Sequence, residues 1–164
     1  MVVNRSIEQG IVTLFVLAMQ KGHTPVDSFT LSTVMGVSDS YLRKILQRLS
    51  RAGIVISVAG RQGGFVLARP LDQITTGEVF KVLGGEGVSF RGSKAAENAF
   101  GDIEGVSDAE REFTGALAEG YDAFINVLNT RSLASLLSTQ DWREGSHEWT
   151  LEVERRGSAS SATD

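Results

Sequence analysis

The 164-residue chain contains no cysteine. Disulfides, thiolate metal sites and thiol redox switching are therefore excluded. Nor is there an apolar run approaching the roughly 20 residues that span a bilayer. The best candidate, Ile11 to Met19, is interrupted by Thr13 and ends at Gln20-Lys21-Gly22. Arg5 and Glu8 sit close together near the amino terminus with no small-residue cleavage site after them, which is not a signal-peptide layout. The expectation is a cytoplasmic protein with no membrane partner. Catalytic signatures are missing too: there is no G-x-S-x-G, P-loop or H-E-x-x-H. The two histidines, His23 and His147, are far apart and carry no motif. Glu104, Asp108, Glu110 and Glu112 cluster, but acids at a helix start are explained by the macrodipole. Enzymatic activity is not expected.

One absence is local. No acidic residue lies between Asp39 and Asp72, whereas that stretch holds Arg43, Lys44, Arg48, Arg51, Arg61 and Arg69. The whole chain is acidic, with a formal net charge of -4. Residues 1–83 carry nine Lys/Arg against five Asp/Glu, and residues 84–164 carry seven against fifteen. Cations concentrated on part of an acidic protein mark a face where a polyanion docks. An apolar fraction of 41% is that of a globular protein with a real core.

Ile7, Ile11, Leu14, Phe15 and Ala18 fall at helical spacing and predict a first helix closing at Gly22. Pro25 to Ser28 reads as a turn, with Asp27 or Ser28 capping a second helix that breaks at Gly36. Ser38 is placed to cap a third, in which Leu42, Ile45, Leu46 and Leu49 form an apolar stripe ending at Gly53. A short helix, a glycine-containing turn and a second helix form the helix-turn-helix pattern. Ile54–Val58 and Phe65–Ala68 then read as strands flanking the glycine-rich tip Ala59–Gly64. A hairpin directly after such a helix is a wing. Thr75 or Thr76 opens a fourth helix through Leu83.

The glycine- and charge-rich stretch 84–106 reads as loop or short irregular helices. Ser107-Asp108-Ala109-Glu110 has the form of a capping box, predicting the start of a long helix. That helix carries Phe113, Leu117, Tyr121, Phe124, Ile125 and Leu128 on one stripe. Ala116, Gly120 and Ala123 lie on one face, where another helix could approach closely. A short helix from Leu133 to Leu137 follows. Residues 141–164 read as a tail containing Trp142 and Trp149, disordered from Gly157 onward. The fold class is mainly α with a small β-hairpin wing: a winged helix-turn-helix head over residues 1–83 and a long helix with its short successor over 107–140.

The first turn of a recognition helix enters the major groove. Ser38, Ser40, Tyr41, Arg43 and Lys44 are therefore the candidates for base edges and flanking phosphates. Arg holds guanine bidentately, whereas Lys, Ser and Tyr more often bind phosphate. Gln47 could read adenine, and Arg48 is placed for the backbone or for packing. At the wing tip Arg61 and Gln62 suit a narrow minor groove. Ser28 and Thr30 could donate to phosphate near the start of the second helix. Phe90, Phe100 and Tyr121 are spaced to line an apolar pocket or simply to join the core.

The blocks Ser38-Asp-Ser-Tyr-Leu-Arg-Lys-Ile-Leu-Gln-Arg-Leu-Ser-Arg-Ala-Gly-Ile-Val, Ser57-Val-Ala-Gly-Arg-Gln-Gly-Gly-Phe-Val-Leu-Ala-Arg-Pro and Ile74-Thr-Thr-Gly-Glu-Val-Phe resemble the Rrf-two family. This is the IscR/NsrR/CymR group of bacterial winged-helix transcription regulators. The resemblance is close over residues 5–83 and looser over the long helix. It implies a homodimer held by that helix, binding a palindromic operator in double-stranded DNA, usually as a repressor. The dimer interface would then include Phe113, Ala116, Leu117, Gly120, Tyr121, Ala123, Phe124 and Leu128; packing against the chain's own first helix is the other use of that face.

Many members of the family hold an iron–sulfur cluster through three cysteines in the loop before the long helix. Here residues 84–107 have neither cysteine nor histidine, so a thiolate-bound cluster is impossible. Some relatives recruit a helix-one carboxylate, and Glu8 stands at about that place, but alone it holds no cluster. The chain therefore reads as a member without cofactor or metal. It would respond to a small-molecule or protein effector, or act without one. The alternative is a winged-helix protein-interaction module that has lost DNA binding; against it stands the acid-free face.

Overall fold

A computed structural model describes residues 4–84, 95–101 and 106–160. Helix α1 (Arg5–Met19) starts at Asn4, whose side chain accepts the Ser6 amide at 3.1 Å. Ile7, Leu14, Leu17 and Ala18 are its buried face. Gly10 lies where α1 meets the end of the fourth helix: a Cβ there would stand 2.0 Å from Leu83 Cδ1. After Met19 the chain turns through Lys21–His23, with Gly22 at φ 63°.

Helix α2 (Ser28–Met35) is capped by Asp27, whose carboxylate accepts the Thr30 amide at 2.9 Å and the Thr30 hydroxyl at 2.7 Å. Gly36, at φ 64°, ends it in the left-handed conformation that glycine adopts without strain. Helix α3 (Asp39–Arg51) buries the expected stripe Leu42, Ile45, Leu46 and Leu49. Leu42, Leu46 and Leu49 are wholly inaccessible; truncating one such leucine to alanine costs about 2–5 kcal/mol. Ser38 occupies the cap position but makes no capping bond, and its hydroxyl lies 3.0 Å from that of Ser40.

Strands β1 (Val55–Val58) and β2 (Gly64–Leu67) form an antiparallel hairpin, with Val55 opposite Leu67 and Val58 opposite Gly64. The outer edge of β2 is also paired. Val26 and Phe65 exchange both backbone hydrogen bonds, at 2.9 and 3.1 Å. The wing is thus fastened to the turn that caps α2. Arg69, just after β2, donates to the carbonyls of Gln73 and Gly53 and to Glu78 at 2.5 Å. This member of the acid-free run braces the fold.

Helix α4 (Thr76–Gly84) opens with a reciprocal cap: Thr75 N–H donates to Glu78 and Glu78 N–H to the Thr75 hydroxyl. A short helix α5 (Ala95–Phe100) lies in the stretch expected to be loop or irregular helix. Helix α6 (Val106–Asn129) follows. Ser107 is therefore already inside it, one residue past its first, and is not its cap. The C-terminal part of α6 crosses α4 closely, since a Cβ on Gly77 would meet Asn129 Oδ1 at 2.2 Å. Phe124 packs edge-on against Phe80 with centroids 5.0 Å apart. The Leu128 carbonyl accepts the Thr76 hydroxyl at 2.6 Å.

The tail departs most from expectation. Trp142 is 4% exposed and belongs to the core, in a 3-10 turn over Asp141–Arg143. Trp149 opens helix α7 (Trp149–Ser160), which packs on α2 and runs past Gly157, where disorder is expected. Trp149 donates its indole N–H to the Val16 carbonyl at 2.8 Å, and the Ser146 and His147 amides both donate to Met19. These bonds reach the carbonyls that a helix C-terminus leaves without intrahelical partners. The tail therefore caps α1.

Candidate nucleic-acid interface

Beyond the buried stripe of α3, its other face looks outward. Ser28, Arg43, Lys44 and Gln47 line one surface groove of about 440 Å³. Ser50, Ser57 and Phe65 complete it, so α2, α3 and the hairpin all contribute. Ser57 and Ser50 were not singled out from sequence; the signal for Ser57 was its exposed polar position on a strand whose neighbours are apolar. Ser38 and Tyr41 lie in a second groove, of about 760 Å³, with Asn4, Arg5, Gln9, Gly36 and Val37. Arg5 thereby joins the start of α1 to the start of α3, a proximity no local pattern reveals.

The cations differ in commitment. Arg43 pairs with Asp39 one turn earlier, Nε to Oδ2 2.9 Å, and the Arg43 side chain is 64% exposed. Lys44, Arg51 and Arg61 are exposed and have no protein partner among the described residues. Arg61 and Gln62 are both exposed at the hairpin tip, beside Gly60 at φ 114°. Ser40 is exposed at the start of α3.

Two candidates are otherwise engaged. Thr30 is 4% exposed and its hydroxyl is given to Asp27, so it is no free phosphate donor. Arg48 turns back and donates to the Leu83 carbonyl at 3.2 Å, tying α3 to α4. Burial works against the charge on Asp27, but hydrogen bonds from the Thr30 hydroxyl and the Thr30 and Phe29 amides outweigh it. They hold the carboxyl below its ordinary pKa.

On α6 the candidate seam divides. Phe124 packs against Phe80 of α4 within the chain, whereas α4 holds Leu128 by its backbone carbonyl and leaves its side chain half-buried. Leu117 and Tyr121 are half-buried. Ala116, Gly120 and Ala123 are exposed, and a Cβ on Gly120 would meet nothing within 4 Å. Helix α1 does not cover that face. Phe113 is 53% exposed and Val127 67%. Phe90 lies outside the described residues, and Phe100 is 55% exposed rather than packed with Tyr121 in a pocket.

A helix-turn-helix with a fastened hairpin and outward cations defines a winged-helix DNA-binding protein. The family model described as "Rrf2: Iron-dependent Transcriptional regulator" matches residues 3–139, and the chain belongs to the Rrf2 family. It is a DNA-binding transcription regulator, not an enzyme. The HTH-type transcriptional regulator IscR of Sodalis glossinidius is 30% identical over 80% of this chain and 75% of its own. The HTH-type transcriptional regulator CymR of Bacillus subtilis is 27% identical over 80% of this chain and 86% of its own. The solved structure of CymR, the global cysteine regulator of B. subtilis, superposes with a TM-score of 0.58 at 26% identity, covering 83% of this chain and 95% of that one.

The donor set here does not fit the iron named in the family description. The chain has no cysteine, and the described residues hold no group of three or more His, Cys, Asp or Glu that could bind a metal. No described helix is long and apolar enough to cross a membrane.

Proposed function

We propose that the protein is a cytoplasmic homodimeric repressor that recognises a palindromic operator without an iron–sulfur cluster. Arg43, Lys44 and Gln47 read the major groove, with Ser28, Ser38, Ser40 and Tyr41 on flanking phosphates. Arg61 and Gln62 enter the adjacent minor groove. The observation that carries this reading is the groove lined jointly by Ser28, Arg43, Lys44 and Gln47, on a face where Lys44, Arg51 and Arg61 have no protein partner among the described residues.

The dimer reading is supported by the exposed strip of Ala116, Gly120, Ala123 and Val127 on a helix of 24 residues, about 36 Å long. Small residues there let a second α6 come close. Two-fold pairing would present recognition helices to half-sites about 34–36 Å apart.

Fluorescence anisotropy with the protein's own promoter DNA, against scrambled DNA across a salt series, tests this reading. Preferential binding with a steep salt slope is expected. Absence of binding at every salt concentration would instead favour a protein-interaction module.

A further inference from the structure

Behind the hairpin lies a cavity of about 280 Å³, on the line where the wing meets the tail. One wall is Val66 and Leu67 of β2 with Pro70 and Leu71 beyond it. The opposite wall is Trp142, and His23 and Arg143 stand among the lining residues. The volume is just below the range of drug-sized pockets and suits a single ring or a branched aliphatic body.

Its chemistry is one-sided. The walls are apolar, and among the described residues the ionisable lining groups are His23 and Arg143, with no carboxylate. Arg143 stacks over Trp142, 4.7 Å from the ring centroid, and gives its Nε to Gln140 at 2.8 Å. Its two terminal nitrogens have no partner among the described residues. The His23 ring is held 2.9 Å from the Arg143 carbonyl, and His23 itself sits at φ 50°. Left-handed backbone in a residue other than glycine costs of order 1 kcal/mol and recurs at ligand sites.

We propose that this cavity binds a small organic anion, an apolar ring or branched chain bearing one carboxylate. The apolar body lies between Val66, Leu67 and Trp142, and the carboxylate accepts from the terminal nitrogens of the Arg143 guanidinium. β2 forms one wall and is hydrogen-bonded to Val26, next to the Asp27 cap of α2, so the ligand contacts the element that positions the wing. The site supplies an effector for the proposed repressor and rests on that reading only for its consequence.

Benzoate is the probe, benzamide its neutral counterpart, and tryptophan emission the readout, measured on the full chain without DNA. Benzoate should change the emission saturably, with benzamide about tenfold weaker or more, as expected for one lost charge-assisted hydrogen bond. Arg143→Gln should weaken benzoate to a similar degree, and Val66→Phe, which fills the cavity, should abolish it. Operator binding by each variant serves as the check of folding. If Val66→Phe fails that check, the benzoate–benzamide difference and Arg143→Gln decide. No saturable response in a protein that binds its operator would overturn the site and leave the DNA reading intact. Benzoate affinity unchanged in Arg143→Gln would also overturn it. Saturable, Arg143-dependent binding in a protein that ignores DNA would uphold the site and sink the repressor.

Discussion

The Asp39 carboxylate holds the Arg43 guanidinium at 2.9 Å, one turn along the exposed face of α3. This pair sets both the aim and the net charge of the recognition helix at its leading end. An exposed ion pair is worth no more than about 1 kcal/mol, so a phosphate or guanine can capture Arg43. Arg43→Ala is expected to weaken operator binding by about 1–3 kcal/mol and relax preference at one base position. Asp39→Asn removes an acid from the approach path and should raise affinity for operator and scrambled DNA alike. Anisotropy titrations on both DNAs check the pair.

Arg61 carries its charge on the hairpin tip with no protein partner among the described residues. Arg61→Ala should weaken binding to every sequence and lower the slope of log affinity against log salt by about one unit. Unchanged affinity in both Arg43→Ala and Arg61→Ala would remove the proposed contacts.

Gly120 faces open space in the single chain, so a larger side chain there strains nothing in the protomer. Gly120→Leu should leave the melting temperature of the protomer fold unharmed while splitting the dimer by overpacking its seam. Sedimentation velocity reads the outcome, and a variant that stays dimeric would take this face out of the interface.

Asp27 carries a pH signature. Its folded-state pKa is depressed, so its contribution to stability is present above its unfolded pKa and is lost as pH falls through the folded value. Asp27→Asn retains an acceptor for the Thr30 amide but not the charge. The variant should be less stable than wild type at neutral pH, with the gap closing in acid. Urea denaturation at neutral and acid pH measures that gap.

Gly145 sits at φ 74°, and a Cβ there would stand 2.0 Å from the Gln20 carbonyl oxygen. Gly145→Ala should lower the melting temperature by several degrees, given more than about 1 kcal/mol of strain. Gly120→Ala is the control, with neutral or slightly raised stability expected from helix propensity.

Why was the head legible in the sequence and the tail not? The stripe Leu42, Ile45, Leu46 and Leu49 repeats within one helix, and Gly36 and Gly53 punctuate it at positive φ. Such signals are local. Trp149, by contrast, finds its partner Val16 across 133 positions, and nothing near either residue announces the other. The commitment of Thr30 to Asp27 was hidden differently. Either Asp27 or Ser28 could cap α2, and only the choice of Asp27 consumes the Thr30 hydroxyl. Arg48 looks like its neighbours in charge, yet the distant end of α4 claims it. Membership of the family was readable from the three blocks around Ser38, Ser57 and Ile74, because they span the parts whose contacts are mostly local.

The tail's grip on Val16 and Met19 has a consequence for the order in which the chain matures. Helix α1 is made well over a hundred residues before the amides and indole that satisfy its last carbonyls, which belong to residues 146–149. During synthesis the head must wait, its first helix frayed at one end, until residues 146–149 have left the ribosome. A nascent chain stalled before Trp149 should be open to proteases at α1, and one released after it should be closed.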